Sequence, residues 1–299
     1  MENRFKKIKI IANPLSGREE ALDKVLEFIR LLSLDQWDIN LLFTHKRGDG
    51  MRFAESDDGE DIIVACGGDG TLNEVVNGIV KSKRDTPLAI LQAGTVNDFA
   101  NYFKLPQDPS KFYKLIKEGR TKKIDVGLAG DRVFANVAAG GMLTEIAYTV
   151  PEDQKAVLGR MAYYLEGARQ MVKLNFQEEK AYKVKIDCEE YKGEENLFFF
   201  LITNTSSVGG FKKMAPAATV TDGYLDVLLI KECSLVDFMQ IAPLVLTGNH
   251  IDHEKVIYLK TKDISLSSDI ELDIDVDGEQ SGKLPMNFKV LEEALTIII

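Results

Sequence analysis

The sequence has little cysteine and histidine, no excess of basic over acidic charge, and no long apolar run. Its three cysteines, Cys66, Cys188 and Cys233, are far apart, odd in number and form no CxxC. That excludes a disulfide framework and a cysteine zinc site, and it fits a reducing compartment. The three histidines, His45, His250 and His253, are scattered, with no third ligand spaced to join the last two, so they read as surface residues. A net charge of −10 argues against a nucleic-acid partner, because binding phosphate backbones needs a basic face. The richest apolar window, Asn196-Leu-Phe-Phe-Phe-Leu-Ile202, is the size of a strand rather than a membrane span. The start, MENRFKKIKIIANP, holds too short an apolar run for a signal peptide's core and cleavage site. The expectation is a soluble, cytoplasmic protein that meets a membrane only from its surface.

The 299 residues are comfortable for two domains, and the hydrophobic share of 45% can bury their cores without staples. Residues 8–12, 39–43, 62–65 and 88–91 read as strands. Residues 20–32, 71–80, 97–103 and 110–117 have helical spacing. Apolar strands alternating with helices predict a parallel sheet covered on both faces. Near Lys122 the pattern changes. Strands are predicted at 124–128, 133–138, 183–186, 198–203, 225–230, 256–260, 264–267 and 272–276, with helices only around 160–174 and 235–247. This reads as a β-rich, antiparallel second domain. The expected division is 1–124 and 125–288, and a last strand at 288–299 could return to either domain, so that 289–299 may rejoin the first. No Pro/Gly/Ser-rich linker, internal repeat or low-complexity tract occurs.

Three strand ends carry the chemistry. Gly67-Gly68-Asp69-Gly70-Thr71 lies where a strand gives way to a helix, which in an open parallel sheet is the ligand edge. Glycines let the backbone approach a phosphate, and the free N–H groups of a helix start favour an anion. Asp69 would repel that phosphate unless a divalent cation stood between them. Taken alone, the stretch reads equally well as a tight turn with an Asp cap. It is accompanied by Asn13-Pro14-Leu15-Ser16-Gly17-Arg18 after the first strand and Gly94-Thr95-Val96-Asn97-Asp98 after the fourth. Asp98 adds a second carboxylate and Arg18 a phosphate-binding cation.

Taken in order, NPLSGR, GGDGTLNEVVNG, GTVNDFA, TDGYLDV and VDGE resemble the diacylglycerol-kinase catalytic family, and within it the soluble bacterial lipid kinases. The resemblance spans nearly the whole chain. It implies a NAD-kinase-like two-domain architecture: an α/β nucleotide-binding domain and an antiparallel β-sandwich-like lipid-substrate domain, with ATP between them. It implies phosphorylation of a lipid hydroxyl, with diacylglycerol giving phosphatidic acid, and ATP and Mg²⁺ as cofactors. Asn13, Pro14, Leu15, Ser16, Gly17, Arg18, Thr44, Gly67, Gly68, Asp69, Gly70, Thr71, Leu72, Asn73 and Thr95 would bind the nucleotide. By the same resemblance, Asp69, Asp98 and Asp125 would form the acidic network around catalytic Mg²⁺. Glu279, following Gly278 in the DGE motif, would be the base that takes the acceptor's proton. Asp222, with carbonyls of Thr219 and Tyr224, would hold a structural Mg²⁺. Without the resemblance Asp125 is a strand-edge residue, Glu279 a turn residue in an acidic run, and Asp222 part of an Asp-Gly hairpin turn.

Weaker features remain. Lys155, Arg160, Arg169 and Lys173 make a local basic excess, and Lys212 and Lys213 lie between Phe211 and Met214. Either group could touch anionic headgroups, although a solvated face is the commoner use of such a cluster. Dimers are common among such chains, and no feature here demonstrates one. Two other functions compete: a NAD kinase, which shares the GGDGT turn, and a nucleotide- or lipid-binding regulator without turnover.

Overall fold

The structure is a computed structural model that describes residues 6–17, 20–94, 97–141 and 181–299. The helix expected at 160–174, with Lys155, Arg160, Arg169 and Lys173, lies outside the described residues. So do Arg18 and Thr95. The chain divides into two compact units. One comprises Met1–Val126, Val133–Ala135 and Leu291–Ile299; the other comprises Gly127–Arg132 and Asn136–Val290.

The first unit is α/β. Strands β1 (Lys7–Ala12), β2 (Asp38–Phe43), β3 (Ile62–Gly67) and β4 (Leu88–Gln92) pair in parallel in the order β2-β1-β3-β4. Both β3 and β4 are buried along their whole length, as strands covered on two faces must be. Helix α1 (Glu20–Leu34) buries Ala21, Val25, Phe28 and Leu32, a single helical stripe. Phe28 meets Phe112 of α5 (Pro109–Glu118) edge to face at 5.0 Å. Helix α5 starts where Asp108 accepts the Lys111 N–H at 2.9 Å and Pro109 occupies the first turn. The last strand, β15 (Met286–Ile298), ends in this unit, with Ile297 in register with Leu88. Lys9 is a fully buried charge in this core. Its buried ammonium lies 2.9 Å from Asp58 and 3.0 Å from Glu60 and donates to the Ser56 carbonyl at 2.6 Å, so no charge is left unpaired.

Two helices matter for the site. Helix α2 (Asp49–Glu55) was not expected from periodicity, and α3 (Asp69–Ser82) follows β3 directly. Helix α4 (Asp98–Tyr102) is shorter than its apolar spacing suggested.

The second unit is antiparallel. It contains β7 (Val137–Gly141), β8 (Tyr182–Cys188), β9 (Lys192–Thr203), β10 (Leu225–Lys231), β11 (Val256–Thr261), β12 (Asp263–Ser268), β13 (Asp273–Val276) and β14 (Glu279–Lys283). The pairs β7–β9, β9–β8, β8–β12, β9–β10, β10–β11, β13–β7 and β13–β14 are all antiparallel. Strand β8 shows why: Tyr182, Val184, Ile186 and Cys188 face inward and the residues between them face solvent. The strands β5 (Thr121–Ala129) and β6 (Arg132–Phe134) join the units in sequence. One predicted strand, 133–138, is broken into β6 and β7. At the break the Asn136 and Val137 N–H groups donate to the Asp277 carboxylate at 3.0 and 2.8 Å. Helix α6 (Leu235–Leu244) is fixed at its start by a capping box between Ser234 and Asp237. It ends earlier than expected, with Pro243 in its last turn. One histidine expectation is corrected: His250 is fully buried, and its Nε2 lies 3.0 Å from the Met214 carbonyl oxygen.

Candidate active site

In the first unit, three turns at the carboxyl ends of β1, β3 and β4 meet. Asn13 begins the first. Its N–H donates to the Cys66 carbonyl at 2.9 Å, and its Oδ1 accepts the Leu15 N–H at 3.0 Å, closing a turn over Pro14. Gly17 ends it with φ +59°, and a Cβ there would lie 2.0 Å from the Ala93 carbonyl oxygen. Only glycine fits, because the first turn rests on the backbone that leaves β4.

The second turn is equally tight. A Cβ on Gly67 would fall 2.6 Å from the Thr71 side chain. Gly68 precedes the first residue of α3, so this helix opens on the glycine turn with Asp69 in its first position. Leu72 and Asn73 are buried below it. In the third turn a Cβ on Gly94 would stand 2.5 Å from the Gly68 Cα, so the two glycine backbones touch. Asn97 adopts φ 52° and brackets Gly94 from both sides. Its Oδ1 accepts the Gly94 N–H at 3.1 Å and its Nδ2 donates to the Gly94 carbonyl at 2.6 Å. Its own N–H donates to the Asp69 carboxylate at 3.0 Å. Asp69 therefore ties the second turn to the third, and Asp98 is the next residue, 5% exposed.

Thr44 is at the end of β2, its N–H donating to the Ala12 carbonyl at 2.9 Å. The stretch after it is organised by two carboxylates. Asp49 accepts the His45 N–H at 3.0 Å. The Arg52 guanidinium and the His45 N–H hold the Asp49 carboxyl down at about 2. Glu74, from α3, accepts the Gly48 N–H at 2.6 Å and the Gly50 N–H at 2.9 Å, clamping the start of α2.

Asp125 is 2% exposed and accepts the Glu293 N–H at 2.8 Å. Among the described residues no three His, Cys, Asp or Glu side chains come together as a metal site, so Asp69, Asp98 and Asp125 do not form a preassembled cage. Magnesium does not need one: it keeps several waters and takes one or two carboxylates plus phosphate oxygens. A carboxylate beside glycine amides, as at Asp69, suits that use.

In the second unit the DGE turn is rigid. Asp277 (φ 51°) and Gly278 (φ 90°) make a left-handed corner, and the Gly278 N–H donates to Asp275 at 2.7 Å. Glu279 follows as the first residue of β14, with the Arg132 guanidinium 2.6 Å from its carboxylate. The carboxylate is about a quarter exposed, with a side-chain accessibility of 24%, so an incoming hydroxyl can reach it. Thr219, Asp222 and Tyr224 lie on a turn before β10. Asp222 accepts the Tyr224 N–H at 3.2 Å, and its other oxygen is 2.5 Å from the Lys260 ammonium. Lys260 also faces buried Asp226 at 3.6 Å. Burial pushes the Asp226 carboxyl up to about 6, against the Tyr258 hydroxyl and the Lys260 charge. The donors at this turn are all oxygen, as a hard cation requires, but one oxygen of Asp222 already has an ammonium for a partner.

A family profile described as the diacylglycerol kinase catalytic domain matches residues 7–129. A second, described as the YegS C-terminal NAD kinase beta sandwich-like domain, matches 136–299. A diacylglycerol kinase of Staphylococcus aureus (strain MRSA252) is 36% identical over 294 residues, covering 98% of this chain and 92% of the relative. The chain belongs to the diacylglycerol kinase catalytic family. The family is one of lipid kinases. The crystal structure of a Bacillus anthracis (str. Sterne) diacylglycerol kinase superposes with a TM-score of 0.82 at 26% identity, covering 99% of this chain and 98% of that one. Another chain from that organism reaches a TM-score of 0.86 at 26% identity, covering 100% of this chain and 96% of that one. The two-domain reading, a parallel α/β domain followed by an antiparallel sandwich-like one, is the family's architecture.

The structure also shows what sequence reasoning overlooked. Glu74 lies inside the GGDGTLNEVVNG stretch, and its hold on α2 needs a fold to be seen. Asn77, in the same stretch, accepts the Val133 N–H at 2.9 Å and donates to its carbonyl at 2.9 Å. Arg132 has no local signal at all, because its partner Glu279 is far away in sequence. Asp277, the first residue of the DGE motif, drew attention only as a neighbour of Glu279, yet it holds the β7 backbone.

Proposed function

We propose that this lipid kinase transfers the γ-phosphoryl group of ATP to the free hydroxyl of diacylglycerol, giving phosphatidic acid and ADP. The observation that carries the nucleotide half is the meeting of the three turns, with Gly68 against Gly94 and Asn97 donating to Asp69 at 3.0 Å. Backbone amides from Gly67, Gly68, Gly70 and Thr71 are the donors for the phosphates; Leu72 and Asn73 join the set by the family pattern, the Leu72 N–H already donating to the Gly68 carbonyl at 3.0 Å. Asn13, Pro14, Leu15, Ser16 and Gly17 cover them from the β1 side, with Thr44 at the end of β2. Arg18 and Thr95 complete the set by the family pattern. By the family pattern Asp69, Asp98 and Asp125 would make the acidic network around Mg²⁺, with Asp69 the carboxylate beside the glycine amides. Bound with ATP, that ion offsets the phosphate charge. The carbonyls of Thr219 and Tyr224 and the carboxylate of Asp222 would hold a second, structural Mg²⁺, with Lys260 sharing the Asp222 charge.

The chemistry balances as one displacement. The acceptor oxygen bonds to the γ-phosphorus, the bond from that phosphorus to the β–γ bridging oxygen breaks, and ADP leaves. The hydroxyl proton passes to Glu279. An alcohol is far too weak an acid to ionise first, so a carboxylate accepting the proton late on the path suffices. Arg132 keeps the Glu279 carboxylate oriented. The acceptor reading rests on the Staphylococcus aureus relative named as a diacylglycerol kinase. A cytoplasmic enzyme working at a membrane surface follows from that acceptor. Among the described residues no helix is long and apolar enough to cross a membrane.

Transfer of label from γ-labelled ATP to diacylglycerol, monoacylglycerol and NAD, each in its own reaction, tests the proposal. Labelled phosphatidic acid is the expected product. Label on NAD alone would overturn it.

A further inference from the structure

Helix α6 is apolar on both sides. Inward, Ile241 is buried in a cluster with Val137, Phe199 and Leu228. Outward, Val236, Met239 and Leu246 are 64%, 67% and 68% exposed, with Pro243 also exposed between them. These four recur at helical spacing, so they form one stripe along the outer face and its extension. The single charge within the helix, Asp237, is drawn into the cap, accepting the Ser234 N–H at 2.8 Å. A surface helix normally turns polar residues outward, and contiguous exposed apolar patches mark interaction sites.

We infer that this stripe is a docking surface for the anionic lipid bilayer that carries the acceptor. The inference rests on the lipid-kinase reading. Two observations choose the partner. First, the patch has a basic rim in a chain of net charge −10. Lys212 and Lys213 are exposed, and the Lys213 ammonium donates to the Thr247 carbonyl at 3.3 Å, at the carboxyl end of the stripe. An apolar stripe edged with lysines is the pattern of a helix lying in a headgroup layer. Second, the patch is too small for a stable dimer. A ten-residue helix is about 15 Å long. Four partly exposed aliphatic side chains fall well short of the roughly 800 Å² per partner in a standard interface.

Co-sedimentation with phosphatidylcholine vesicles, with and without phosphatidylglycerol, tests this on the full chain. The variant Met239→Gln/Leu246→Gln should bind vesicles at least about tenfold more weakly. It should melt near wild type and phosphorylate a short-chain, monomeric diacylglycerol as before. The second variant, Lys212→Ala/Lys213→Ala, alters exposed side chains only and should lose the preference for phosphatidylglycerol. It decides the matter if the first variant melts early. Wild-type protein that ignores vesicles, or variants that bind them unchanged, would overturn the inference. So would a Met239→Gln/Leu246→Gln variant that changes oligomeric state in sedimentation velocity, which would assign the stripe to a second copy. If wild type phosphorylates no lipid while vesicle binding depends on α6, the docking surface stands and the kinase reading falls.

Discussion

Gly94 touches Gly68 so closely that replacing it with alanine should pry the proposed nucleotide site open. The added Cβ would lie 2.5 Å from the Gly68 Cα and 2.7 Å from the Asn97 Oδ1. Carbon atoms in contact prefer roughly 3.5–4.0 Å, so one turn must retreat by about 1–1.5 Å. Neither neighbour is the flexible tip of a long side chain. Gly68 is backbone, and Asn97 is held by its bonds to Gly94. Overpacking of this kind costs about 1–3 kcal/mol. In a domain of this size each kcal/mol lowers Tm by about 2–4 °C, giving a fall of roughly 2–12 °C. The functional loss should be larger than the stability loss suggests, because displacing a positioning turn by about 1 Å can cost on the order of a hundredfold in rate. Calorimetric ATP titration and a transfer assay, run beside thermal melts, read both effects. Gly59→Ala is the control: Gly59 has φ +72° and only the Lys7 Nζ within reach of a Cβ, at 3.9 Å. It should lose about 1–2 kcal/mol of stability and no activity. A Gly94→Ala protein with wild-type melting, ATP affinity and turnover would refute the reasoning that the two turns form one surface.

Other consequences are as direct. Glu74→Ala orphans the Gly48 and Gly50 N–H groups at the start of α2. It should cost about 2–3 kcal/mol in denaturant unfolding, with Glu74→Gln recovering part of the loss. The depressed Asp49 carboxyl, at about 2 against 3.8 unfolded, stabilises the fold above pH 4 and loses that effect as pH falls toward 2. An acid titration of Asp49→Asn should therefore be flatter than wild type across that window. Cys66, Cys188 and Cys233 are all buried free thiols, and burial pushes Cys66 up to about 12 and Cys233 up to about 11. Ellman's reagent should label none of them until the protein unfolds, since the thiolate is the reactive form. Rapid labelling of the native protein would contradict the buried assignment.

The sequence made the parallel sheet legible because strands buried on both faces cannot alternate. Residues 62–65 and 88–91 are apolar without interruption, and β3 and β4 are buried throughout. The three turns were legible because glycine, asparagine and aspartate at strand ends have few other uses. Their contacts were not, since Gly68 meeting Gly94 is a property of two chain segments brought side by side. Helix α2 is too short to show a period, and it forms because Gly48 opens it and Glu74 clamps it. Strand β14 is polar and mostly exposed, so no apolar alternation announced it. The break between β6 and β7 comes from Asp277, a residue remote in sequence, which no local pattern could supply. His250 was misjudged because spacing says nothing of burial; the Met214 carbonyl and the surrounding loop take it inside. The outer stripe of α6 was also hidden, because apolar residues at helical spacing do not tell an observer which side faces water.

The proposed mechanism depends on Glu279 as the proton acceptor in transfer from ATP to a lipid hydroxyl. Phosphoryl transfer by Glu279→Gln, beside wild type and with ATP affinity measured on the same samples, addresses it most directly. The account predicts a fall of about 10²–10⁴ in turnover with ATP affinity and melting temperature unchanged. Turnover within a few-fold of wild type would contradict it, and so would loss of ATP binding in step with loss of transfer.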